Sequence, residues 1–267
     1  MLVEIVKIAA LALCGLALFL YFYQERMLFY PSAAPAILPK PAHGTLKTLS
    51  LRTAEGLRIT AWLVGSGQRG PVVFYFGGNA EDVSWLIGMN DRFPGYSLLL
   101  VNYRGYGPSE GRPGESSLFA DALAWYDHLA RRSDVDIRSS IVMGRSLGSG
   151  VAVYLAANRA LAGVILVSPY DSVRSLAKSI YPYLPIAILL KHPFDSLSRA
   201  QGITAPLLCL VAREDRVVSP ENSRRLFDKW GTKSKLWRAL PGDHDSISDQ
   251  SAYWDEVAAY LEGKMAP

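Results

Sequence analysis

Ile141-Val142-Met143-Gly144-Arg145-Ser146-Leu147-Gly148-Ser149-Gly150-Val151-Ala152-Val153-Tyr154 passes from a short apolar run into a helix-like run of small residues. A serine sits at the junction, in the pattern G-x-S-x-G. In that setting a sharp strand-to-helix turn holds the serine on a strained backbone and crowds both flanks, which is why each flank is glycine. The turn lifts the hydroxyl above a sheet edge, and the helix that starts there aims its free amides at the same spot. Ser146 is therefore the candidate nucleophile.

Outward from this turn, apolar runs of strand length at 72–76, 97–102, 140–143, 163–167, 207–212 and 235–240 alternate with helix-like stretches at 116–130, 151–157 and 222–229. The alternation predicts an α/β fold with a mostly parallel sheet, its crossovers long enough to be helical. Residues 45–53 and 57–64 flank the turn signal Ala54-Glu55-Gly56 and predict an opening antiparallel hairpin. Function in such sheets gathers in the loops at the carboxyl ends of strands.

A serine hydroxyl needs a base within hydrogen-bond reach, and the base needs a carboxylate to orient it. His43 falls in a Pro-rich stretch, His128 within a helix segment and His192 just before Pro193, whereas His244 follows the last strand in Leu240-Pro241-Gly242-Asp243-His244 and is the favoured base. Asp215 follows the run 207–212 and gives the chain order Ser, Asp, His expected of a nucleophile elbow. Asp171, in Ser168-Pro169-Tyr170-Asp171, is the alternative acid, while Asp243 and Asp245 lie too near His244 in sequence and Glu214 should point elsewhere. Attack on a carbonyl also calls for oxyanion donors. The amide of Leu147 is one, and the amide of Asn79, in Phe76-Gly77-Gly78-Asn79-Ala80, is the other.

The chain has 267 residues, 50% of them hydrophobic and 19% charged, enough for one large domain with an appendage. Its formal net charge of +4 is small, and the basic pairs Arg131-Arg132 and Arg224-Arg225 are scattered, which argues against nucleic acid as a partner. Cys14 and Cys209 cannot make a disulfide framework or a metal site of usual spacing. No residue from 8 to 23 is charged, and aromatics gather at the far end of that run, so residues 1–30 read as a single-pass membrane anchor. Leu2, Val3, Ile5 and Val6 extend the span if Lys7 snorkels. A cleavable signal peptide and a buried helix are the rival readings, the first disfavoured by bulky residues after the run. Charge on the two flanks nearly balances, so orientation is not fixed.

Taken together, the motifs resemble the α/β-hydrolase superfamily, and within it the small membrane-anchored serine hydrolases with an HGNA-type oxyanion loop. The resemblance rests on Phe76 to Ala80, Asn102-Tyr103-Arg104-Gly105-Tyr106-Gly107-Pro108-Ser109-Glu110-Gly111, Gly144 to Gly148, Ser168 to Ser172, Asp215-Arg216-Val217-Val218 and Gly242-Asp243-His244, in the family's order. Gly77 stands where that group usually has His, and Asn102 where it usually has Asp. The resemblance implies an eight-stranded, mostly parallel sheet with helices on both faces and a small helical lid at about 173–205, within a catalytic domain at 45–267 that follows a connector at 31–44. It implies hydrolysis of carboxylic esters or thioesters of a small-molecule or acylated substrate, without cofactor or metal. A serine peptidase or amidase on the same fold and a catalytically silent membrane-bound binding module remain alternatives.

Overall fold

In the computed structural model, which describes residues 1–263, a long helix α1 (Leu2–Leu28) precedes a hairpin of β1 (Thr45–Arg52) and β2 (Arg58–Gly65). There follow β3 (Val72–Phe76), a 3₁₀ segment (Val83–Arg92), β4 (Ser97–Val101), α2 (Glu115–Ala130), β5 (Ile141–Arg145), α3 (Leu147–Asn158) and β6 (Gly163–Val167). An insertion carrying α4 (Val173–Ile180), α5 (Ile186–Leu189) and α6 (Leu197–Ala200) leads to β7 (Leu207–Ala212), α7 (Pro220–Lys229), β8 (Lys235–Leu240) and α8 (Ser251–Leu261). Positions 264–267 of the expected catalytic unit lie outside the described residues.

The strands form one eight-stranded sheet in the order β1-β2-β4-β3-β5-β6-β7-β8, as the α/β-hydrolase expectation required. Strand β2 is antiparallel to β1 and β4, and every other pairing is parallel. The unbroken apolar runs follow from burial on both faces, since alternate side chains point to opposite sides. Val72, Phe74, Val142, Leu166 and Cys209 face α2 and α3, whose Leu118, Trp125 and Val151 cover them. Val73, Tyr75, Met143, Ile165 and Leu208 face the other layer, made by Leu86 and Ile87 of the 3₁₀ segment and by Trp254 and Val257 of α8.

Several boundaries shift from the sequence reading, mostly by one or two residues, and three of the departures have a clear physical cause. Strand β5 runs two residues past the expected 143, because Gly144 and Arg145 stay paired with Leu166 and Val167. Helix α3 begins at Leu147 instead of 151, although Gly148, Ser149 and Gly150 are poor helix formers. Close packing overrides propensity there. A Cβ at Gly148 would overlap the carbonyl oxygen of Phe76 and lie 2.6 Å from that of Gly77, and one at Gly144 would lie 2.7 Å from Ala152 Cβ. Helix α1 extends beyond the uncharged 8–23 to 27 residues, about 40 Å at the usual rise. Lys7 does not stop it, because it pairs with Glu4 one turn earlier at 3.0 Å on an exposed face. Nor is α1 a buried core helix: Ile8, Leu11, Leu18 and Phe22 are all exposed.

The glycine packing gives a direct test. Gly148→Ala is expected to destabilise the fold by about 1–3 kcal/mol, the usual cost of overpacking, whereas Gly15→Ala, with nothing within 4 Å of the added methyl, is expected to cost nothing. Thermal unfolding of the two variants in detergent measures the difference.

Candidate active site

Ser146, Asp215 and His244 each lie just past the carboxyl end of a strand: β5, β7 and β8. Ser146 sits between β5 and α3 at φ 49° and ψ −115°, a left-handed conformation that side-chain-bearing residues rarely adopt. Local bonds hold it there: its amide donates to Val167 O at 2.9 Å, and its carbonyl accepts from the Ser149 amide and hydroxyl at 2.9 and 2.6 Å. Across the sheet, the loop after β8 carries His244 and the loop after β7 carries Asp215. The two loops are pinned together, Glu214 N to Gly242 O at 3.1 Å and Gly242 N to Glu214 Oε2 at 2.7 Å.

His244 Nε2 lies 2.8 Å from Ser146 Oγ, and His244 Nδ1 lies 2.8 Å from Asp215 Oδ2. The remaining oxygen of Asp215 accepts from the amides of Val217 and Val218 at 2.9 and 2.8 Å. Burial opposes ionisation of this carboxyl, but the hydrogen bond from His244, the Val218 amide and the charge of the imidazole outweigh it and hold the group below the usual carboxylate range. The structure thus brings together Ser146, His244 and Asp215. It directs Asp171 elsewhere, since its Oδ2 accepts from Arg225 Nε at 2.7 Å and its Oδ1 from the Ser172 amide at 2.6 Å. Asp243 closes its own turn, accepting from the Ser246 hydroxyl at 2.6 Å. His192 Nδ1 is occupied by the Glu115 amide at 3.2 Å.

Asn79 and Leu147 both line the cavity above Ser146. Leu147 opens α3, so its amide has no carbonyl one turn before it to bond. The Asn79 side chain locks its own loop: Oδ1 accepts from Ala80 N at 3.0 Å, from Tyr30 N at 2.9 Å and from the Tyr106 hydroxyl at 3.0 Å. Gly77 has its carbonyl held by the Tyr103 hydroxyl at 2.9 Å. A Cβ at that position would come within 2.6 Å of Val83 Cγ1, so in this chain the loop is built around the absence of a side chain there.

Sequence reasoning passed over two residues of this region, Glu81 and Arg145. The Glu81 side chain is only 6% exposed and gathers four donors: Gly78 N at 2.6 Å, the Tyr75 hydroxyl at 2.7 Å, Trp85 Nε1 at 3.0 Å and Arg145 Nη1 at 3.3 Å. The other end of the same guanidinium donates to His244 O at 3.0 Å. One ion pair therefore ties the Gly-Gly loop, the serine turn and the histidine loop together. The signal in the sequence was a charged residue at the first variable position of G-x-S-x-G, but its partner is 64 residues away and spacing does not reveal it.

The cavity over Ser146 encloses about 360 Å³ and is walled mainly by apolar side chains. Among the described residues, no three His, Cys, Asp or Glu side chains converge as a metal site. Burial pushes the Cys209 thiol up, so it offers no competing nucleophile.

This architecture has clear relatives. The family model described as serine aminopeptidase, S33, matches residues 71–194. An uncharacterised protein of Mycobacterium tuberculosis is 35% identical over 96% of this chain and 94% of its own length. An uncharacterised membrane protein of Saccharomyces cerevisiae is 31% identical over 91% of this chain and 90% of its own. Among solved structures, the Pyrococcus furiosus esterase Pf2001 superposes with a TM-score of 0.68 at 17% identity, covering 87% of this chain and 98% of that one. The chain belongs to the α/β-hydrolase family.

Two outcomes test the electrostatics. Glu81→Ala strands a largely buried guanidinium and is expected to cost about 3–5 kcal/mol in urea unfolding, while Glu81→Leu combined with Arg145→Met loses less than the two single changes added together. Because the folded Asp215 carboxyl ionises at lower pH than an unfolded one, its contribution to stability is full above the unfolded value of about 3.9 and is lost as pH falls through the lower folded value. Asp215→Asn is therefore expected to flatten the acid side of a plot of Tm against pH.

Proposed function

We propose that this α/β hydrolase is a membrane-anchored serine hydrolase that cleaves carboxylic esters or thioesters. The observation that carries the reading is the unbroken relay Ser146 Oγ, His244 Nε2, His244 Nδ1, Asp215 Oδ2, with both contacts at 2.8 Å. With Nδ1–H donating to Asp215, Nε2 is the acceptor that faces the serine hydroxyl.

In the proposed reaction, Ser146 Oγ attacks the substrate carbonyl carbon as His244 Nε2 takes the hydroxyl proton, and Asp215 stabilises the imidazolium that forms. Charge develops on the carbonyl oxygen, where the amides of Asn79 and Leu147 serve as donors in this reading, each such donor being worth about 3–4 kcal/mol in the transition state. Collapse breaks the bond to the leaving oxygen or sulfur, which receives the proton from His244. Water then enters; His244 removes its proton, its oxygen attacks the acyl carbon, and the acid leaves as Ser146 recovers its hydrogen.

A peptidase would use the same nucleophile, and the matched family description names an aminopeptidase. Recognition of a free α-ammonium needs a carboxylate in the pocket, and among the described residues no Asp or Glu lines this cavity. That lining favours an uncharged, apolar substrate. Residues 1–30 are proposed as the anchor, 31–44 as connector and 173–205 as lid. Support for anchoring comes from the mean hydropathy of 2.3 across the best stretch of α1, from its exposed apolar side chains, and from the yeast relative being named a membrane protein. The narrower likeness to the HGNA-loop group is also part of this proposal.

A fluorophosphonate probe is expected to label the wild type and not Ser146→Ala, whose hydrolysis of p-nitrophenyl butyrate falls by about 10⁴–10⁶. Asp215→Asn is expected to lose far more rate than Asp171→Asn. A wild type that stays unlabelled identifies the silent binding module, and faster cleavage of an aminoacyl p-nitroanilide than of the ester identifies the peptidase. The protein is expected to remain with membranes in high salt and to leave them only in detergent.

A further inference from the structure

The two walls of the cavity over Ser146 have different origins. One is the end of the apolar helix α1, through Leu20, Met27 and Leu28; the other is the insertion, through Leu176, Ile186 and Leu189. Gln24 clamps the walls together, its Nε2 donating to Leu189 O at 2.9 Å and its Oε1 accepting from Lys191 N at 2.7 Å. Immediately after α1, Phe29 is buried and the Tyr30 amide donates to Asn79 Oδ1. A helix that served only to hold an enzyme near a membrane would need no contact with its active site. This one is built into the wall for about 12 Å, from Leu20 to Leu28 at the usual helical rise.

The mouth of the cavity is apolar and faces outward. Ile180, Tyr183 and Ile188 of the insertion are 67%, 88% and 81% exposed, on the same structural unit that packs against α1. Exposed apolar side chains gathered on one short insertion suit an interaction surface, and beside the apolar helix α1 that surface suits a membrane. Beside them, Lys191 Nζ sits 4.8 Å from the Tyr21 ring centre and 3.6 Å from Glu25, the cationic and aromatic mixture suited to headgroup level. The volume of about 360 Å³ falls within the roughly 300–1,000 Å³ of sites that bury small ligands.

We propose that α1 forms half of an acyl-binding site, and that the substrate is the long acyl chain of an ester-bearing bilayer lipid. The chain moves from the hydrocarbon along α1 into the cavity and presents its carbonyl to Ser146 without its methylenes crossing water. Hydrolysis consumes one water and yields a fatty acid and the alcohol of the remaining lipid. The substrate class rests on the serine-hydrolase reading given above; the acyl site rests on the cavity and α1.

The test uses the full chain in phosphatidylcholine vesicles. A diazirine-bearing phosphatidylcholine is photolysed with the Ser146→Ala variant, and labelled positions are mapped by mass spectrometry. Labelling is expected at Leu176 and Ile186 as well as at the outward Phe19 and Phe22 of α1. Adding Ala177→Trp, which fills the cavity, is expected to abolish the first pair and keep the second. In a chain with Ser146 intact, the same substitution is expected to lower the ratio of kcat/KM for 4-methylumbelliferyl palmitate over butyrate by about tenfold, with fluorophosphonate labelling reporting that the fold survives. Labelling confined to α1, or a ratio that Ala177→Trp leaves unmoved, overturns the acyl site; butyrate hydrolysis that still depends on Ser146 then leaves the serine-hydrolase reading standing. Labelling of Leu176 and Ile186 without cleavage of any ester keeps the acyl site and removes hydrolysis. Faster release from a palmitoyl-cysteine peptide than from phosphatidylcholine in the same vesicles overturns the lipid as substrate.

Discussion

The contact on which this structure turns is the approach of α3 to the loop after β3 at Gly148, where the helix backbone packs directly on the carbonyls of Phe76 and Gly77. Because no side chain intervenes, the serine turn and the Gly-Gly loop come together at backbone distance. The positive φ of Ser146 follows from that constraint: the chain must leave β5, reverse and start a helix within one residue while two neighbouring backbones press on it. A strained residue persists only where its surroundings over-determine it. Here the bond to Val167 O and the glycines on both sides do so.

Around this contact the Glu81 carboxylate and the two ends of the Arg145 guanidinium are paired, although Arg145 Nε itself is buried without a partner. Glu81 satisfies donors from the loop and from two aromatic side chains, and it shares Arg145 with the histidine loop. A buried charge pair of this kind is a weak source of stability but a strong source of position, since displacing either member leaves the other unpaired. The consequence for the proposed relay is geometric. Asp215 is fixed by two amides, Ser146 by its turn, and His244 by Asp215 on one side and, through its own carbonyl, by Arg145 on the other. The imidazole is thereby held between hydroxyl and carboxylate with little freedom to leave.

Helix α1 extends the same logic outward. Its last turns do not trail from the domain but complete the wall above Ser146, and the residues that follow are bonded to Asn79. The proposed anchor and the proposed oxyanion loop are therefore joined directly, through the Tyr30 amide and Asn79 Oδ1.

Much of this was legible in the sequence because it depends on local chemistry. Strands buried on both faces must be apolar throughout, so 163–167 and 207–212 could be read to the residue, and the edge strand 235–240, which keeps Lys235 and Arg238 part-exposed, was bounded correctly as well. A serine on a sharp turn needs glycine on both flanks, and a loop after a strand shows where His244 and Asp215 emerge. The start of α3 could not be read, because Gly148 and Gly150 are poor helix formers and are tolerated only through what they pack against. Nor could the choice between Asp171 and Asp215 be closed by composition, since both follow strands; Arg225 claims one and His244 the other. The partnership of Glu81 with Arg145 and the role of α1 as a cavity wall join segments far apart in the chain. The sequence by itself determined which segments were strand, which turn held the serine and which run was apolar enough to cross a bilayer, because these follow from the residues within each segment. Only the tertiary structure decided which charges meet and what surrounds the serine, because contacts between distant segments depend on how the sheet and its loops bring them together.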